Sequence, residues 1–330
     1  MRLYAAADGV VLSVSGPPDS PTVRRRLGDR VLECVAADSR APERAFCGTF
    51  DRGLFRTTDG GETWHSVGRN TVSESVTSLA VSPDDPAVVY AGTEPSAVFR
   101  SRDGGETWTE LPPLTGLPSA STWAFPPRPH THHARWIEID PCDPQRLFVA
   151  IEAGALVTSP DGGESWVDRV PSSKRDVHSM AMHPARPGRI WVAAGDGYAE
   201  SDDGGETWTT PTDGLQHNYC WSVAVDPSDP ESVLVTSAHG PRRAHSTNSA
   251  EAYLYRRRGS EPWTRLDDTG LPTGEGATRA VLAAGDSGGE CYAANDHGIF
   301  RTTDFGDSWT QLDVPWRESR QTASGLAVAE

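Results

Sequence analysis

The stretch T-T-D-G-G-E-T-W, from Thr57 to Trp64, recurs along this chain with small variations. The other copies read S-R-D-G-G-E-T-W (Ser101–Trp108), S-P-D-G-G-E-S-W (Ser159–Trp166), S-D-D-G-G-E-T-W (Ser201–Trp208) and T-T-D-F-G-D-S-W (Thr302–Trp309). Their Asp residues fall at 59, 103, 161, 203 and 304, so most intervals are near one four-stranded unit or a small multiple of it. A period in this range, with one tryptophan per repeat and no helical pattern, predicts a β-propeller.

Each part of the repeated motif has a structural use. The Gly pair supplies the positive φ angles that a tight hairpin needs. The Asp carboxylate accepts N–H groups of the turn, and the Trp buries a large apolar face against the neighbouring blade. The motif residues are therefore expected to be structural rather than catalytic at all five positions: Asp59, Asp103, Asp161, Asp203 and Asp304.

The motif resembles the Asp box of sialidases, sortilin-type domains, xyloglucan hydrolases and photosystem II assembly factors, and the resemblance covers almost the whole chain. It implies that each box lies on the hairpin between the two outer strands of a blade, on the face away from the usual active site. The F/Y-R-I-P motif of sialidases is absent from this sequence. Xyloglucan hydrolases place their cleft between two propellers, whereas this sequence predicts one.

Length and composition narrow the class of protein. The 330 residues suit one closed all-β domain spanning residues 1–330, and the net charge of −16 argues against a nucleic-acid partner. No apolar run approaches the length of a membrane span, and the N-terminus has no signal-peptide core. The cysteines lack C-x-x-C spacing, which favours buried free thiols in a reducing, cytoplasmic compartment: Cys34, Cys47, Cys142, Cys220 and Cys291.

A second pattern, exemplified by V-T-S-L-A-V-S-P-D-D-P-A-V-V-Y-A-G-T (Val76–Thr93), lies upstream of each box and predicts two strands joined by a Pro/Asp turn. It defines six units, at 31–69, 74–113, 135–170, 177–213, 219–267 and 278–314. The stretch Leu3–Val14 resembles middle strands, and Ala323–Glu330 resembles an inner strand. Together they predict a seventh blade that closes the ring and removes open sheet edges; six or eight blades follow if a fragment fails to pair.

Two long insertions predict where function lies. Leu114–Ala134 falls between two blades, and Ala238–Glu251 falls between the second and third strands of the fifth unit. Both kinds of loop lie on the propeller face opposite the boxes. Long loops on a rigid scaffold are the usual carriers of function, so this face is the predicted site.

The predicted face is rich in ionisable side chains. The first insertion ends in H-T-H-H-A-R-W, which places at the start of one inner strand His130, His132, His133 and Arg135. The corresponding starts of other inner strands carry Glu74, His178, Asn218 with Tyr219, and Arg279. The second insertion adds His239, Arg242, Arg243 and His245. The short loops of the blades offer Asp8, Asp51, Glu94, Glu152, Asp196 and Asp296, the last next to His297.

Three interpretations of these residues remain open. In the first, a divalent transition metal is bound by His133, His178, His239 and His297, as in some seven-bladed oxygenases. In the second, the chain is a hydrolase or lyase that acts on a sugar-like or anionic small molecule. In the third, the same face is a non-catalytic interaction or assembly scaffold for a protein partner.

The second interpretation leads. Its predicted catalytic groups are His133, His178, Glu152 and Asp196. Its predicted substrate-binding groups are Arg135, Arg279, Tyr219, Arg243 and Glu94. The guanidinium groups among them present a donor fork that matches carboxylate geometry, which predicts an acidic ligand.

Overall fold

The computed structural model describes residues 1–7, 9–316 and 322–329. Within these ranges the strands of the first half of the chain are Arg2–Ala7 (β1), Val10–Ser15 (β2), Thr22–Arg26 (β3), Leu32–Ala37 (β4), Ala45–Thr49 (β5), Leu54–Thr57 (β6), His65–Val67 (β7), Val76–Val81 (β8), Val89–Thr93 (β9), Val98–Ser101 (β10), Thr109–Glu110 (β11), Ala134–Ile139 (β12), Leu147–Ile151 (β13) and Ala155–Ser159 (β14). Those of the second half are Val177–Met182 (β15), Ile190–Ala194 (β16), Gly197–Ser201 (β17), Tyr219–Asp226 (β18), Asp229–Ala238 (β19), Glu251–Arg258 (β20), Thr264–Arg265 (β21), Gly274–Glu275 (β22), Val281–Ala284 (β23), Cys291–Asn295 (β24), Gly298–Thr302 (β25), Thr310–Gln311 (β26) and Ala323–Val328 (β27).

The strands form seven antiparallel sheets, each of which is one blade of a β-propeller. From the innermost strand outward, the first blade contains β27, β1, β2 and β3, and the second contains β4 to β7. The third contains β8 to β11, the fourth β12 to β14, the fifth β15 to β17, the sixth β18 to β21 and the seventh β23 to β26; β22 pairs with β20 of the sixth blade, outside this order. Isolated bridges from Thr158 to Val167 and from Glu200 to Thr209 extend the fourth and fifth blades outward. The predicted seven-bladed, all-β architecture is confirmed.

The two ends of the described chain meet in the first blade. β27 pairs antiparallel with β1, from Leu3 opposite Val328 to Ala7 opposite Ala323, and is the innermost strand. Leu3 and Leu326 are buried in a cluster that also contains Tyr292 of the seventh blade. The predicted closure of the ring by terminal strands is therefore confirmed, and the closing blade shares its apolar core with its neighbour.

The repeated box closes the outer hairpin of its blade, as the copy between β10 and β11 shows. Asp103 accepts hydrogen bonds from the backbone N–H and the hydroxyl of Thr107, with donor–acceptor distances of 2.9 and 2.5 Å. The hydroxyl of Ser101 also donates to Asp103, and it accepts the N–H of Gly105, whose φ is +88°. Hydrogen bonds from Thr107 are the main reason why the pKa of Asp103 falls to about 2. Trp108 is buried edge-on against Phe46 of the second blade, so the motif also joins two blades.

The two insertions form short helical turns. The first contains 3₁₀ helices at Leu114–Gly116 and Pro118–Thr122, and the second contains an α-helix at Pro241–His245 (α1) and a 3₁₀ helix at Thr247–Ser249. Among the described residues no helix is long and apolar enough to cross a membrane. All five cysteines are free thiols within the described ranges; the prediction that they are buried holds for Cys47, Cys220 and Cys291, whereas Cys34 is half-buried and Cys142 is exposed.

Candidate functional site

The inner strands direct one side chain per blade into the central channel. In the described part of the chain, six of them carry a β-bulge near the same end, and the residues left without a cross-strand partner are Glu33, Thr77, Arg135, His178, Trp221 and Ser324. In the seventh blade Arg279 lies two residues before β23. All seven side chains line the channel or the cavity at its mouth. A β-bulge turns the extra residue out of the regular alternation of its strand. The seven residues, here called the bulge ring, therefore include charged, polar and aromatic side chains.

A cavity of about 490 Å³ opens above this ring. The first insertion contributes Phe125, Pro126, Pro127 and Arg128 to its wall, and the second contributes Pro241 and His245. Because the strands of each blade alternate in direction, the loops that reach this cavity lie at the opposite end of the blade from the Asp boxes. Both insertions therefore converge on one face, as their positions in the sequence predict.

Glu152 lies near the centre of the cavity, directly after β13. Its Oε2 is 2.9 Å from Nε2 of His133 and 3.6 Å from Nε of Arg135, and its Oε1 is 4.0 Å from Nε2 of His178. Burial alone would raise the pKa of Glu152, but the hydrogen bond from His133 and the charges around it lower the pKa to about 2. Glu152 is thus a firmly ionised carboxylate that links the two predicted histidines.

Glu94 and Arg128 secure the first insertion against this centre. Arg128 donates to both carboxylate oxygens of Glu94, with nitrogen–oxygen distances of 2.9 and 2.6 Å. Glu94 is also 3.7 Å from Nδ1 of His133, and the ring of Phe125 packs edge-on against His133 at 4.8 Å. Glu94 therefore positions the insertion and His133 from behind the cavity wall.

Two guanidinium groups lie over the ring of Trp221 on the wall. The Cζ atoms of Arg279 and Arg135 are 4.2 and 4.7 Å from its centroid. Arg279 donates to the backbone oxygen of Ala323 at 2.7 Å, and burial, followed by the charge of Arg135, lowers its pKa to about 9. The Nε atoms of both arginines are buried and make no hydrogen bond to any described residue. The pair therefore leaves positive donors unsatisfied beside the cavity.

Tyr219 and His245 form a less polar part of the wall. The Tyr219 hydroxyl oxygen is 3.1 Å from Nε2 of His245. Burial raises the pKa of Tyr219, and burial together with the nearby Arg279 lowers the pKa of His245 to about 2. Both side chains are therefore neutral around pH 7, in contrast to Glu152 and the arginines.

Asp176 and His178 complete the floor of the site. Asp176 Oδ1 accepts the N–H of Ala153 at 2.9 Å, while its Oδ2 is 3.8 Å from Nε2 of His178. Nδ1 of His178 is 2.7 Å from the backbone oxygen of Cys220 in the next blade. Burial raises the pKa of Asp176 and lowers that of His178. His178 is only 1% exposed, so it also fills space between two blades.

Several predicted site residues do not reach the cavity. Asp196 is exposed, because the two-residue turn between β16 and β17 puts it at the tip, whereas the three-residue loop after β13 turns Glu152 inward. Arg243 points along its own insertion and pairs with Glu251 at 3.3 Å. The structure therefore does not bring Asp196 and Arg243 to the cavity with the other predicted site residues.

The predicted four-histidine metal site does not assemble. His239 is exposed and packs against the ring of His217 at 4.2 Å, and Nε2 of His297 is 3.1 Å from the backbone oxygen of Gly276. Each lies on a loop beyond an inner pair of strands and turns away from the bulge ring. Over the ranges that the structure describes, one group of three or more potential donors lies within 4.8 Å, and it contains Glu152, Asp176 and His178.

Sequence reasoning missed Asp176, Trp221 and Glu33, which all line the cavity. The equivalent of Arg135 and His178 in the sixth blade is Trp221 rather than Tyr219, and in the third blade it is Thr77 rather than Glu74. Counting from the first apolar residue of each inner strand would have found the ring. Of the acids predicted on the short loops, Asp8 lies outside the described residues.

Comparison with known proteins supports the architecture. The BNR/Asp-box repeat family matches residues 55–66 and 99–110. No curated protein matches the chain. The fold is similar to that of an ancestral GH74 enzyme, with a TM-score of 0.64 and 16% identity over 89% of this chain and 38% of that one. It is also similar to a GH74 xyloglucanase from Xanthomonas campestris, with a TM-score of 0.62 and 16% identity over 97% of this chain and 52% of that one.

A third similar structure is YCF48 bound to D1 peptide, with a TM-score of 0.61 and 16% identity over 88% of this chain and 84% of that one. At such identities the similarity shows the fold alone. The chain thus spans about half or less of the GH74 chains but most of the YCF48 chain. It is a seven-bladed propeller with Asp-box repeats, related in fold to enzymes and to a peptide-binding protein.

Proposed function

We propose that this Asp-box propeller binds a small carboxylate-bearing molecule, such as a sugar acid, in the cavity and acts on it as a hydrolase or lyase. The observation that carries the proposal is the pair of arginines beside Trp221. Arg135 and Arg279 both line the cavity, and each has a buried Nε without a hydrogen-bond partner in the described part of the chain. An anion in the cavity would accept hydrogen bonds from the guanidinium groups and, together with Glu152, whose Oε2 is 3.6 Å from Nε of Arg135, offset the repulsion between the two cations.

The aromatic and proline residues of the wall suit the apolar part of such a ligand. Trp221, Tyr219 and Phe125 line the cavity together with the charged groups. A cavity of about 490 Å³ lies within the usual size range for small-molecule sites. The site therefore combines a shaped apolar wall with a few convergent charges.

Acid–base chemistry is assigned to His133, with Glu152 as its positioning partner. Nε2 of His133 is 2.9 Å from Glu152, and Nδ1 makes no hydrogen bond to the described residues. A carboxylate that receives the N–H of one imidazole nitrogen fixes the tautomer and leaves the other nitrogen to take or give a proton. His133 lines the cavity, but its Nδ1 is buried and lies 3.7 Å from Oε2 of Glu94, so this role requires the imidazole ring to turn toward the cavity.

Calorimetry with matched ligands tests the proposal. We expect galacturonate to bind at least 10-fold more tightly than galactose, because only the acid offers a charged group to Arg135 and Arg279. Arg135→Gln should remove most of this preference. Arg243→Gln is the matched control, since that arginine lies on an insertion but pairs with Glu251. Equal affinity for acidic and neutral ligands across a panel of such pairs would overturn the proposal.

The second candidate is a peptide-binding scaffold that uses the same face. It is favoured by the match in length to YCF48, of which this chain covers 84%. On this hypothesis the arginine pair receives the carboxylate of a peptide C-terminus. Peptides with free and amidated C-termini separate the candidates: tight binding of only the free form, with no turnover of any small acid, would favour the scaffold.

A further inference from the structure

The floor of the cavity contains three acceptor atoms that face one another. We infer that it binds one divalent transition-metal ion through Nε2 of His178, a carboxylate oxygen of Glu152 and a carboxylate oxygen of Asp176. This site differs from the four-histidine site expected from the sequence. The inference concerns only the binding of the ion, so it does not depend on whether the proposed reaction is correct.

The protonation of His178 is fixed by its backbone partner. Its Nδ1 lies 2.7 Å from the carbonyl oxygen of Cys220, and a carbonyl only accepts, so Nδ1 must carry the proton. In a neutral imidazole the lone pair is then on Nε2. That atom is buried in a residue 1% exposed, and it has no hydrogen-bond partner among the residues described.

The lone pair of His178 faces two carboxylates. Nε2 is 3.8 Å from Oδ2 of Asp176 and 4.0 Å from Oε1 of Glu152. Three electron-rich atoms without a donor between them repel one another in a partly buried site. A cation among them turns each of these repulsions into an attraction.

The distances allow such an ion with small side-chain movements. Ligand bonds of about 2.0–2.2 Å place donor atoms roughly 3.0–3.5 Å apart around a metal. The three donors here lie within 4.8 Å of one another, so the carboxylates need to close by about 1 Å. The Asp176 side chain is 30% exposed and has room to rotate.

Each proposed ligand is held from behind by a second partner. Glu152 receives His133 on its other oxygen at 2.9 Å, and Asp176 receives the N–H of Ala153 on its other oxygen at 2.9 Å. His178 donates to a backbone carbonyl, as metal-binding imidazoles do. Each ligand is thus oriented toward the site, and Glu152 and Asp176 also line the cavity, so the remaining coordination positions face it.

The donor set indicates the class of ion. One imidazole nitrogen with two carboxylates suits Mn²⁺, Fe²⁺, Co²⁺ or Zn²⁺, whereas Mg²⁺ and Ca²⁺ prefer oxygen ligands alone. The competing explanation is a doubly protonated His178 that bridges the two acids. One Nε2 proton can serve only one acceptor, and both oxygens are beyond hydrogen-bond distance.

Asp176→Asn separates these explanations. The variant keeps an oxygen for the N–H of Ala153 and replaces the other oxygen by an amide that donates toward Nε2 of His178. If the inference is correct, the metal-free variant should be as stable as the metal-free wild type or more so, and it should lose metal binding. If His178 is instead an imidazolium, the variant loses a counter-charge and should be less stable.

The measurement uses the untagged full chain after treatment with a chelator. Titration calorimetry with MnCl₂, CoCl₂ and ZnCl₂ should show one site per chain, and MgCl₂ should bind at least 10-fold more weakly. Asp176→Asn and Glu152→Gln should each weaken Co²⁺ binding at least 10-fold. Asp196→Asn, an exposed acid in the next loop of the same propeller face, should leave it unchanged.

Two results would overturn the inference. One is the absence of a stoichiometric site for any of the three transition metals in folded wild-type protein. The other is Co²⁺ binding that is the same in wild type and Asp176→Asn, which would place the ion on other histidines. Neither result bears on the binding of galacturonate, so failure here is distinguishable from failure of the proposed function.

Discussion

The guanidinium of Arg279 lies 4.2 Å above the ring of Trp221, and the two residues come from neighbouring blades at equivalent places around the channel. Arg135, from a third blade, lies over the same ring at 4.7 Å. The protein thus keeps two cations close together on one aromatic surface, with burial lowering the pKa of Arg279 to about 9. A site with this arrangement gains most from an anionic ligand.

Arg279→Gln is expected to weaken binding of a carboxylate ligand by about 10- to 100-fold, equivalent to about 1.5–3 kcal/mol for a charged hydrogen bond. Binding of the neutral analogue should change much less. Because Arg279 also donates to Ala323 in the closing strand, melting temperatures must accompany the calorimetry. Equal losses for acidic and neutral ligands would show that the residue acts only on the fold.

Asp103→Ala is expected to lower the free energy of unfolding by about 1–3 kcal/mol, because the outer hairpin loses the acceptor of several hydrogen bonds. Hydrogen bonding, chiefly from Thr107, lowers the pKa of Asp103 from 3.8 to about 2. The stability it contributes is therefore present above pH 3.8 and disappears as the pH falls through about 2.

Urea unfolding at several pH values measures this difference between wild type and Asp103→Ala. The difference in the free energy of unfolding should be largest near neutral pH and become smaller toward pH 2. Ligand affinity should stay the same at neutral pH, since the box lies on the opposite face. Loss of binding in a well-folded variant would contradict the structural role of the motif.

Glu138→Gln is expected to make the protein less sensitive to pH. Burial raises the pKa of Glu138 from 4.5 to about 7, although Trp136 donates to it at 2.8 Å. Since the folded state holds this proton more tightly than the unfolded state, stability falls as the pH rises from 4.5 to 7. Between these two pH values the free energy of unfolding of the wild type should fall by about 1–3 kcal/mol, whereas that of the variant should not show this decrease. The same dependence of the free energy of unfolding on pH in both proteins would contradict the raised pKa of Glu138.

Removal of residues 323–330 is expected to cause insolubility or a large loss of stability. The deletion strips the innermost strand from the first blade and exposes the edge of β1 and the apolar side chains around Leu3. Thermal melting and size-exclusion chromatography provide the measurement. A truncated protein with unchanged melting behaviour would contradict closure through this strand.

The repeats made the propeller, the position of the boxes and the closure predictable from sequence. A hairpin motif with Asp, Gly and Trp at fixed spacing has one stable geometry, and it was found as expected at Asp103. The convergence of the two insertions followed from topology. His133, Glu152 and Arg135, which the sequence predicts on one face, lie close together, because His133 and Arg135 flank the start of β12 and Glu152 follows the end of β13, its partner strand.

The remainder of the site depended on features that leave little trace in a sequence. A one-residue difference in turn length separates Glu152, inside the cavity, from Asp196, at the surface. The bulges displace each channel residue by one position from regular alternation, so the sequence pattern predicts neighbouring residues in place of Trp221 and Thr77. Asp176 became visible only once the fifth blade was set beside the loop that carries Glu152.

The pairing of β27 with β1 also sets an order of events during protein synthesis. The three outer strands of the first blade leave the ribosome before the other six blades, while their inner partner leaves after those six blades have been made. At about 5–20 residues per second, this delay lasts roughly 15–60 s. Throughout it, the edge of β1 stays open to other nascent chains. A chain that ends before β27 would therefore have six complete blades and an open edge on β1, so chaperone protection matters most for the strands of the first blade.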